Sequence, residues 1–370
     1  CIRDRYIVTF TLLNLVAAVT ISQIRYSRRF DLIKAGFIIS GAGLLIVLAI
    51  YVLEKCLIDV NNVLILKNSA FILLNGIVSS MIALGTLPLF ESSFKIITPY
   101  GLAELADHNQ PLLKRLQFEA PGTYHHSLMV SNLCEAAAEA IGANPILARV
   151  GAFYHDIGKL KRPLLFVENQ SYFGIENPHK KLNPRLSKMV ITAHPKDGVE
   201  LAKEYGLPAV INNFILQHHG EGLASYFYNQ AVQEEGIENV KEEQFRYTGP
   251  KPNMKETAIL MIADAVESAV RSLKNPTSEE IEQIINKIIV ERLNDGQLAD
   301  SPLTLHDIKV IAATFSRILR GMQHNRIKYQ ENIVAELNKN KINMPAKLLD
   351  EDLEKKIKQL DDNHEDKHDA

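Results

Sequence analysis

The stretch His155-Asp156-Ile157-Gly158-Lys159 puts an imidazole, a carboxylate and an ammonium side by side. Further donors flank it: His126 upstream, His194 downstream, then the pair His218-His219, then Asp264 inside an apolar run. All are nitrogen or oxygen donors and none is a thiolate. Such a set suits iron, manganese or zinc, with coordination positions left for water or substrate. It holds too many donors for one four-coordinate structural zinc. It fits two divalent transition-metal ions sharing a bridging carboxylate, for which Asp156 is the candidate. Two such ions, about 3.5–4 Å apart, lower the pKa of a bridging water toward ~7 and favour in-line displacement at phosphorus. The expected reaction is therefore phosphodiester hydrolysis by two-metal in-line attack of a bridging hydroxide. Asp156 and Lys159 carry the catalytic roles, and Lys159 also contacts phosphate. Lys161 and Arg162 add positive potential at the same mouth. Of the adjacent His125 and His126 only one can easily face the cleft from a helix, and His126 is taken as the ligand.

The elements that must position these donors read as helices. Thr98-Pro99 is an N-cap followed by Pro at the first helical position, and Gln110-Pro111 is a second such start. Pro121-Gly122 breaks the chain. A helix over 123–141 follows, stopped by Gly142, and Asn144-Pro145 opens the next, which runs to about His155. There Gly158 frees the turn, so the His-Asp pair sits at a helix end. A helix over 184–193 delivers His194, one over 208–219 delivers His218-His219, and one over 256–273 carries Asp264. A buried carboxylate between Ala263 and Ala265 costs several kcal/mol unless it is paired or metal-bound. Two more helices lie near 278–293 and 305–324. No alternating strand pattern is evident, and the fold class is all-α.

The first part of the chain is of another kind. Apolar runs over 6–22, 37–53 and 71–90 each approach the ~20 residues of a bilayer span. The first connection carries Arg25, Arg28, Arg29 and Lys34 and should be cytoplasmic by the positive-inside rule. An odd number of spans then leaves everything after the third in the cytoplasm. The division expected is a membrane part over 1–94, a helical connector over 95–120, a cytoplasmic catalytic domain over 121–340 and a charged, disordered tail over 341–370.

Composition narrows the partners. A net charge of -2 over 370 residues gives no global field for long nucleic acid. The 3 cysteines, Cys1, Cys56 and Cys134, form no CxxC and no disulfide framework. A chain opening on Cys1 is expected to be the C-terminal part of a longer protein. The expected partners are a membrane lipid bilayer and a nucleotide, and a homo-oligomer is compatible with the composition.

The set His126, His155-Asp156 and Asp264 resembles the pattern of the HD phosphohydrolase superfamily. The likeness extends to the segments 119–127 (EAPGTYHHS), 154–163 (YHDIGKLKRP), 168–170 (ENQ), 196–202 (KDGVELA), 217–220 (QHHG) and 226–228 (YFY). Together these are similar to the seven-transmembrane HD receptors of PgpH type, over residues 71 to 325. The resemblance implies transmembrane helices followed by a helical HD-domain phosphohydrolase. It further implies a bacterial cell-membrane enzyme hydrolysing cyclic di-AMP to linear pApA with a dinuclear iron or manganese site. In that family an extracellular domain and further spans precede this region. Two positions depart from the family pattern: Glu221 stands where Thr is expected, and Thr248 where Pro is frequent. No Gly-Tyr-Pro signature follows His219, which disfavours the soluble cyclic di-GMP branch. The competing functions are an HD hydrolase acting on another cyclic dinucleotide or nucleotide, and a non-catalytic cyclic-dinucleotide receptor.

The segment from Leu160 to Pro184 reads as a long loop, and a loop of that length inside a compact domain is usually functional or disordered. It is expected to form a lid over the cleft. Asn169 and Gln170 would read a base edge, Tyr172 and Phe173 would stack on it, and Lys161 and Arg162 would meet the second phosphate. Stacking contributes about 1–3 kcal/mol per base.

Overall fold

A computed structural model describes residues 2–23, 29–55, 62–94 and 96–322. The expected tail over 341–370, and the end of the domain expected over 121–340, lie outside these residues. Among the described residues there is no strand, only an isolated antiparallel bridge between Leu223 and Arg246. The all-α expectation is met.

Three long helices come first: α1 (Ile2–Gln23), α2 (Arg29–Lys55) and α3 (Asn62–Phe94). Their large apolar residues point outward; Phe10, Leu45 and Leu66 are 70%, 68% and 74% exposed. Water would not favour that arrangement, and lipid does. Phe30–Leu53 and Ile65–Glu91 are long and apolar enough to cross a bilayer, and Ile7–Ser22 is a shorter apolar stretch. The chain is membrane-associated. Small residues let α2 and α3 approach closely, as helices in lipid require. A Cβ on Gly36 would lie 2.7 Å from the carbonyl oxygen of Gly76, and Ser40 donates to the carbonyl of Leu73 (3.2 Å).

Glu91, at the end of the apolar stretch, accepts hydrogen bonds from the Thr98 amide (3.3 Å) and hydroxyl. Thr98 in turn caps α4 (Pro99–Leu105) by accepting from the Gly101 amide. Then follow α5 (Pro111–Glu119), α6 (Pro121–Ala140), α7 (Pro145–Tyr154), α8 (Val167–Phe173), α9 (Pro184–Thr192), α10 (His194–Glu204) and α11 (Ala209–Gln217). After them come α12 (Ser225–Glu235), α13 (Lys255–Arg271), α14 (Ser278–Asn294) and α15 over residues 305–322. Proline opens α4, α5, α6, α7 and α9, because its missing N–H is an orphan donor at that position anyway. Pro121 therefore starts α6 where a break was expected.

Of three apolar clusters among the described residues, two hold the helices around the site. Val130, Phe214, Ile259, Ile285 and Phe315 belong to one, formed around α13. Leu113, Leu116, Tyr154 and Ile215 belong to the other, which joins α5 and α7 to α11. The segment expected as a loop over 160–184 is mostly short helix: 3₁₀ turns at Ile157–Lys161, Pro163–Leu165 and Pro178–Lys181, with α8 between them. Asn169 organises it. Its amide nitrogen donates to the Thr123 hydroxyl (3.0 Å) and the Pro163 carbonyl (3.1 Å), and its oxygen accepts the Thr123 amide (3.0 Å).

Candidate metal centre

The histidines reach one point because helices end or begin there. His155 follows the last residue of α7, and His218 the last of α11. His194 opens α10. Each turns its ring back on its own helix or turn. The Nδ1 of His155 lies 2.7 Å from the Ala152 carbonyl, that of His194 2.6 Å from Ile191 and that of His218 2.8 Å from Ile215. A carbonyl only accepts, so each Nδ1 carries the proton and each Nε2 presents a lone pair. Gly158 makes room for this. A Cβ there would collide with the carbonyl of His194 and approach the amide of Gly198 to 2.5 Å. The glycine is therefore needed for close approach, where the sequence suggested freedom at the turn.

Asp156 is buried at the middle. Its Oδ2 lies 3.2 Å from His155 Nε2 and 3.6 Å from His126 Nε2. Its Oδ1 lies 3.3 Å from His194 Nε2 and 3.6 Å from His218 Nε2. Asp264, on α13, faces His126 Nε2 (3.0 Å) with one oxygen and His219 Nδ1 (3.8 Å) with the other. The donors fall into two groups that can each hold an ion: His126, His155 and Asp156, and His194, His218 and His219. Asp156 touches both groups.

The donor set fits a metal on its own chemistry. His155 Nε2 and Asp156 Oδ1 are buried without a hydrogen-bond partner, a state that costs about 1–3 kcal/mol per group. The Nε2 atoms of His194 and His218 stand 3.0 Å apart. With both protons on Nδ1 that contact is lone pair against lone pair, which a shared cation would relieve. Burial, and then the neighbouring His155, push His218 down to about 3, so it is a neutral imidazole, the form that ligates. Burial works against charge on His126 too, but its hydrogen bonds to Asp264 and Glu267 outweigh burial and raise it to about 9. The two carboxylates thus demand a cation at that ring. Burial opposes ionisation of Asp156 and Asp264, yet His155 and Lys159 hold the first well below the usual carboxylate range, and His126 and His219 the second.

Several side chains stand differently from the sequence expectations. Lys159 is half-buried, with Nζ 2.7 Å from both Asp156 Oδ2 and Glu168 Oε1. Burial disfavours its charge, but those two carboxylates raise it above its ordinary value. Two of its three N–H groups are therefore engaged within the protein. Arg162 lies at the surface, paired with Asp197 of α10 (2.8 Å). Asn169 and Gln170 are buried: Asn169 in the ties given above, and Gln170 with its amide nitrogen donating to the Leu164 carbonyl (3.3 Å). Reading a base edge is corrected for Asn169, whose donors and acceptor are committed to α6 and the Pro163 turn. Tyr172 is 55% exposed and stacks on His125 at 6.2 Å, which places His125 outside the donor set.

Glu267 and Tyr247 escaped the sequence reading, and Glu168 entered it only as part of the 168–170 segment, with no role at the centre. Glu267 accepts from His126 Nδ1 at 2.5 Å. It follows Asp264 by one helical turn on the same apolar helix, and that spacing was the available signal. Glu168 accepts from the Thr123 hydroxyl (3.2 Å) as well as from Lys159. Tyr247 lays its ring over His219, centroids 4.2 Å apart. A cavity of about 60 Å³ lies against Tyr247, Gly220 and Leu216; it is far too small for a nucleotide, whose sites run to several hundred Å³.

Residues 123–269 match the HD domain family model, and residues 4–98 match that of the 7TM receptor with intracellular HD hydrolase. The chain is 41% identical over 310 residues to the cyclic-di-AMP phosphodiesterase PgpH of Bacillus subtilis (strain 168), covering 83% of this chain and 42% of the relative. It is 45% identical over 307 residues to the protein of that name from Listeria monocytogenes serotype 1/2a (strain 10403S), with the same coverage, 83% and 42%. The chain thus spans well under half the length of these curated relatives. The crystal structure of the L. monocytogenes phosphodiesterase PgpH HD domain in complex with cyclic-di-AMP is 50% identical with a TM-score of 0.56, covering 58% of this chain and 99% of that one. An HD domain implies divalent metal binding, which the donor set accommodates. With the membrane model matched at one end, the HD model at the other and a solved HD domain matched over nearly its whole length, the chain belongs to the family of 7TM receptors with an intracellular HD hydrolase.

Proposed function

We propose that this chain is the membrane-attached hydrolase part of a phosphodiesterase that converts cyclic di-AMP to linear pApA. The observation that carries the reading is the convergence of imidazole lone pairs on Asp156, within a domain half identical to one solved with cyclic-di-AMP. His126, His155, Asp156 and Asp264 would hold one divalent ion, and His194, His218, His219 and Asp156 the other, with iron or manganese suited to such nitrogen and oxygen donors. When bound, the ions supply charge stabilisation for the phosphodiester and an acidified water as nucleophile. The chain does the rest. The backbone carbonyls at Ala152, Ile191 and Ile215 fix which nitrogen of each ring is free. Lys159 keeps Asp156 ionised and holds it in place through Glu168. Lys159 has one N–H left for a phosphate oxygen.

The test uses the full chain in detergent micelles, loaded with Mn²⁺ and offered a panel of cyclic dinucleotides, with products identified by mass. Linear pApA from cyclic di-AMP, formed faster than products of the other members, is expected. Preference for a different nucleotide, or no cleavage at all, would overturn the reading.

The proposal also requires the HD domain in the cytoplasm, where this messenger is made. The cluster Arg25, Arg28, Arg29 and Lys34 between the apolar runs 6–22 and 37–53 supports that orientation. A reporter fused after Asn340 should be active only in its cytoplasmic form; a periplasmic signal would reverse the topology.

A further inference from the structure

Arg292 sits where an arginine needs a reason. On α14 the residues Ile281, Ile285 and Ile289 are buried, and Arg292 follows Ile289 by three, in line with that inward stripe. The side chain is half-buried. Its Nε is buried with no hydrogen-bond partner, and among the described residues no carboxylate meets its guanidinium at ion-pair distance. Neighbouring charges are already matched. Arg246 binds Asp295 (2.7 and 3.1 Å) and Glu242 (3.0 Å), and Lys251 faces Glu221 (3.6 Å). Asp295, which Arg292 also feels, is thus held by another arginine.

The guanidinium lies against the turn that leaves the metal centre. Its Nη1 would be 3.3 Å from a Cβ placed on Gly222, in the turn directly after His218-His219. A glycine there leaves the turn open toward the arginine. Tyr247 closes the other side: its amide donates to the Gly222 carbonyl (2.9 Å), and its ring covers His219.

We infer that Arg292, with Tyr247 beside it, forms a subsite for the second, non-reacting phosphodiester of a cyclic dinucleotide. The inference rests on the function proposed above. A substrate with two phosphodiesters in one small ring can put one at the ions, and the other must then lie outside the donor set. Arg292 is an unmatched, forked cation on that perimeter, and a planar fork suits the paired oxygens of a phosphodiester. Arg162, one of the cations expected from sequence for that phosphate, is paired with Asp197 at the surface.

The test compares two substrates on the full Mn²⁺-loaded chain: cyclic di-AMP, with two phosphodiesters, and the dinucleoside monophosphate ApA, with one. Arg292→Met should lower the ratio of their kcat/KM values roughly tenfold or more, chiefly through KM for cyclic di-AMP. Arg292→Lys, which keeps the charge but not the fork, should recover part of the loss. The melting temperature of Arg292→Met should stay level or rise, because a half-buried unmatched cation is removed. An unchanged ratio in an active protein overturns the subsite and leaves the proposed function standing. Equal losses on both substrates with a lower melting temperature overturn it too, since Arg292 would then be a brace for the Gly222 turn. Wild-type protein that neither binds nor cleaves cyclic di-AMP brings down both readings.

Discussion

Asp156→Ala should leave the protein without bound metal and lower kcat on cyclic di-AMP by at least roughly 10³-fold, about 4 kcal/mol of barrier. The expectation follows from position. Asp156 is the residue that touches both donor groups, one oxygen toward His126 and His155, the other toward His194 and His218. Removing it leaves each site three imidazoles at most, or two and Asp264, with no negative charge shared between the ions. The fold should survive, because Lys159 keeps Glu168 at 2.7 Å and the ring orientations are set by backbone carbonyls rather than by Asp156. The variant should therefore melt cooperatively, and its melting temperature should no longer respond to added Mn²⁺, since a ligand bound only by the native state is what raises it. Elemental analysis decides: two ions per chain still present in Asp156→Ala would sink the bridging role. Asp156→Asn sharpens the comparison, because it keeps the shape and loses the charge.

The centre was legible in the sequence to the extent that its donors are rare residue types at helix ends that prolines and glycines mark. Asn144-Pro145 before α7 and Pro195 within α10 are local signals, and they put His155 and His194 at helix termini. Asp264 stood out because a carboxylate in an apolar helix has to be satisfied by something. What stayed hidden depends on contacts distant in sequence. The 160–184 segment looked like a lid because it holds prolines, a glycine and amides. In the fold Asn169 uses its amide to tie α8 to Thr123 of α6, so polarity there serves packing. Gly158 looked like a turn residue, whereas its role comes from α10 crossing over it, which no local pattern announces. Tyr247 and Arg292 arrive from loops and helices far along the chain, and neither belongs to a spacing that suggests chemistry. The apolar runs were legible by length, but the small residues joining α2 to α3 only gain meaning once Gly36 and Gly76 are seen in contact.

Glu267 shows how a readable signal can be passed over, and it carries the second large effect. One turn after Asp264, it accepts from His126 Nδ1 at 2.5 Å and is itself buried, with Arg271 at 3.5 Å. A carboxylate only accepts, so it fixes the proton of His126 on Nδ1 and turns Nε2 toward Asp264 and Asp156. Carboxylates placed behind ligand histidines in this way are worth about 10–100-fold in metal affinity. Glu267→Ala should weaken Mn²⁺ binding by that factor, measured by competition with a chelator, and leave the buried Nδ1–H of His126 unmatched at a cost of about 1–3 kcal/mol. Glu267→Gln should lie between Ala and wild type, because its amide oxygen still accepts from Nδ1 while the negative charge is gone. The order Glu, Gln, Ala in metal affinity is the signature of positioning. At saturating Mn²⁺ most of the lost kcat should return, since Glu267 stands behind the ligand and not at the reacting atoms. A fall in melting temperature with no change in Mn²⁺ affinity would falsify this role and leave Glu267 as a packing partner of Arg271.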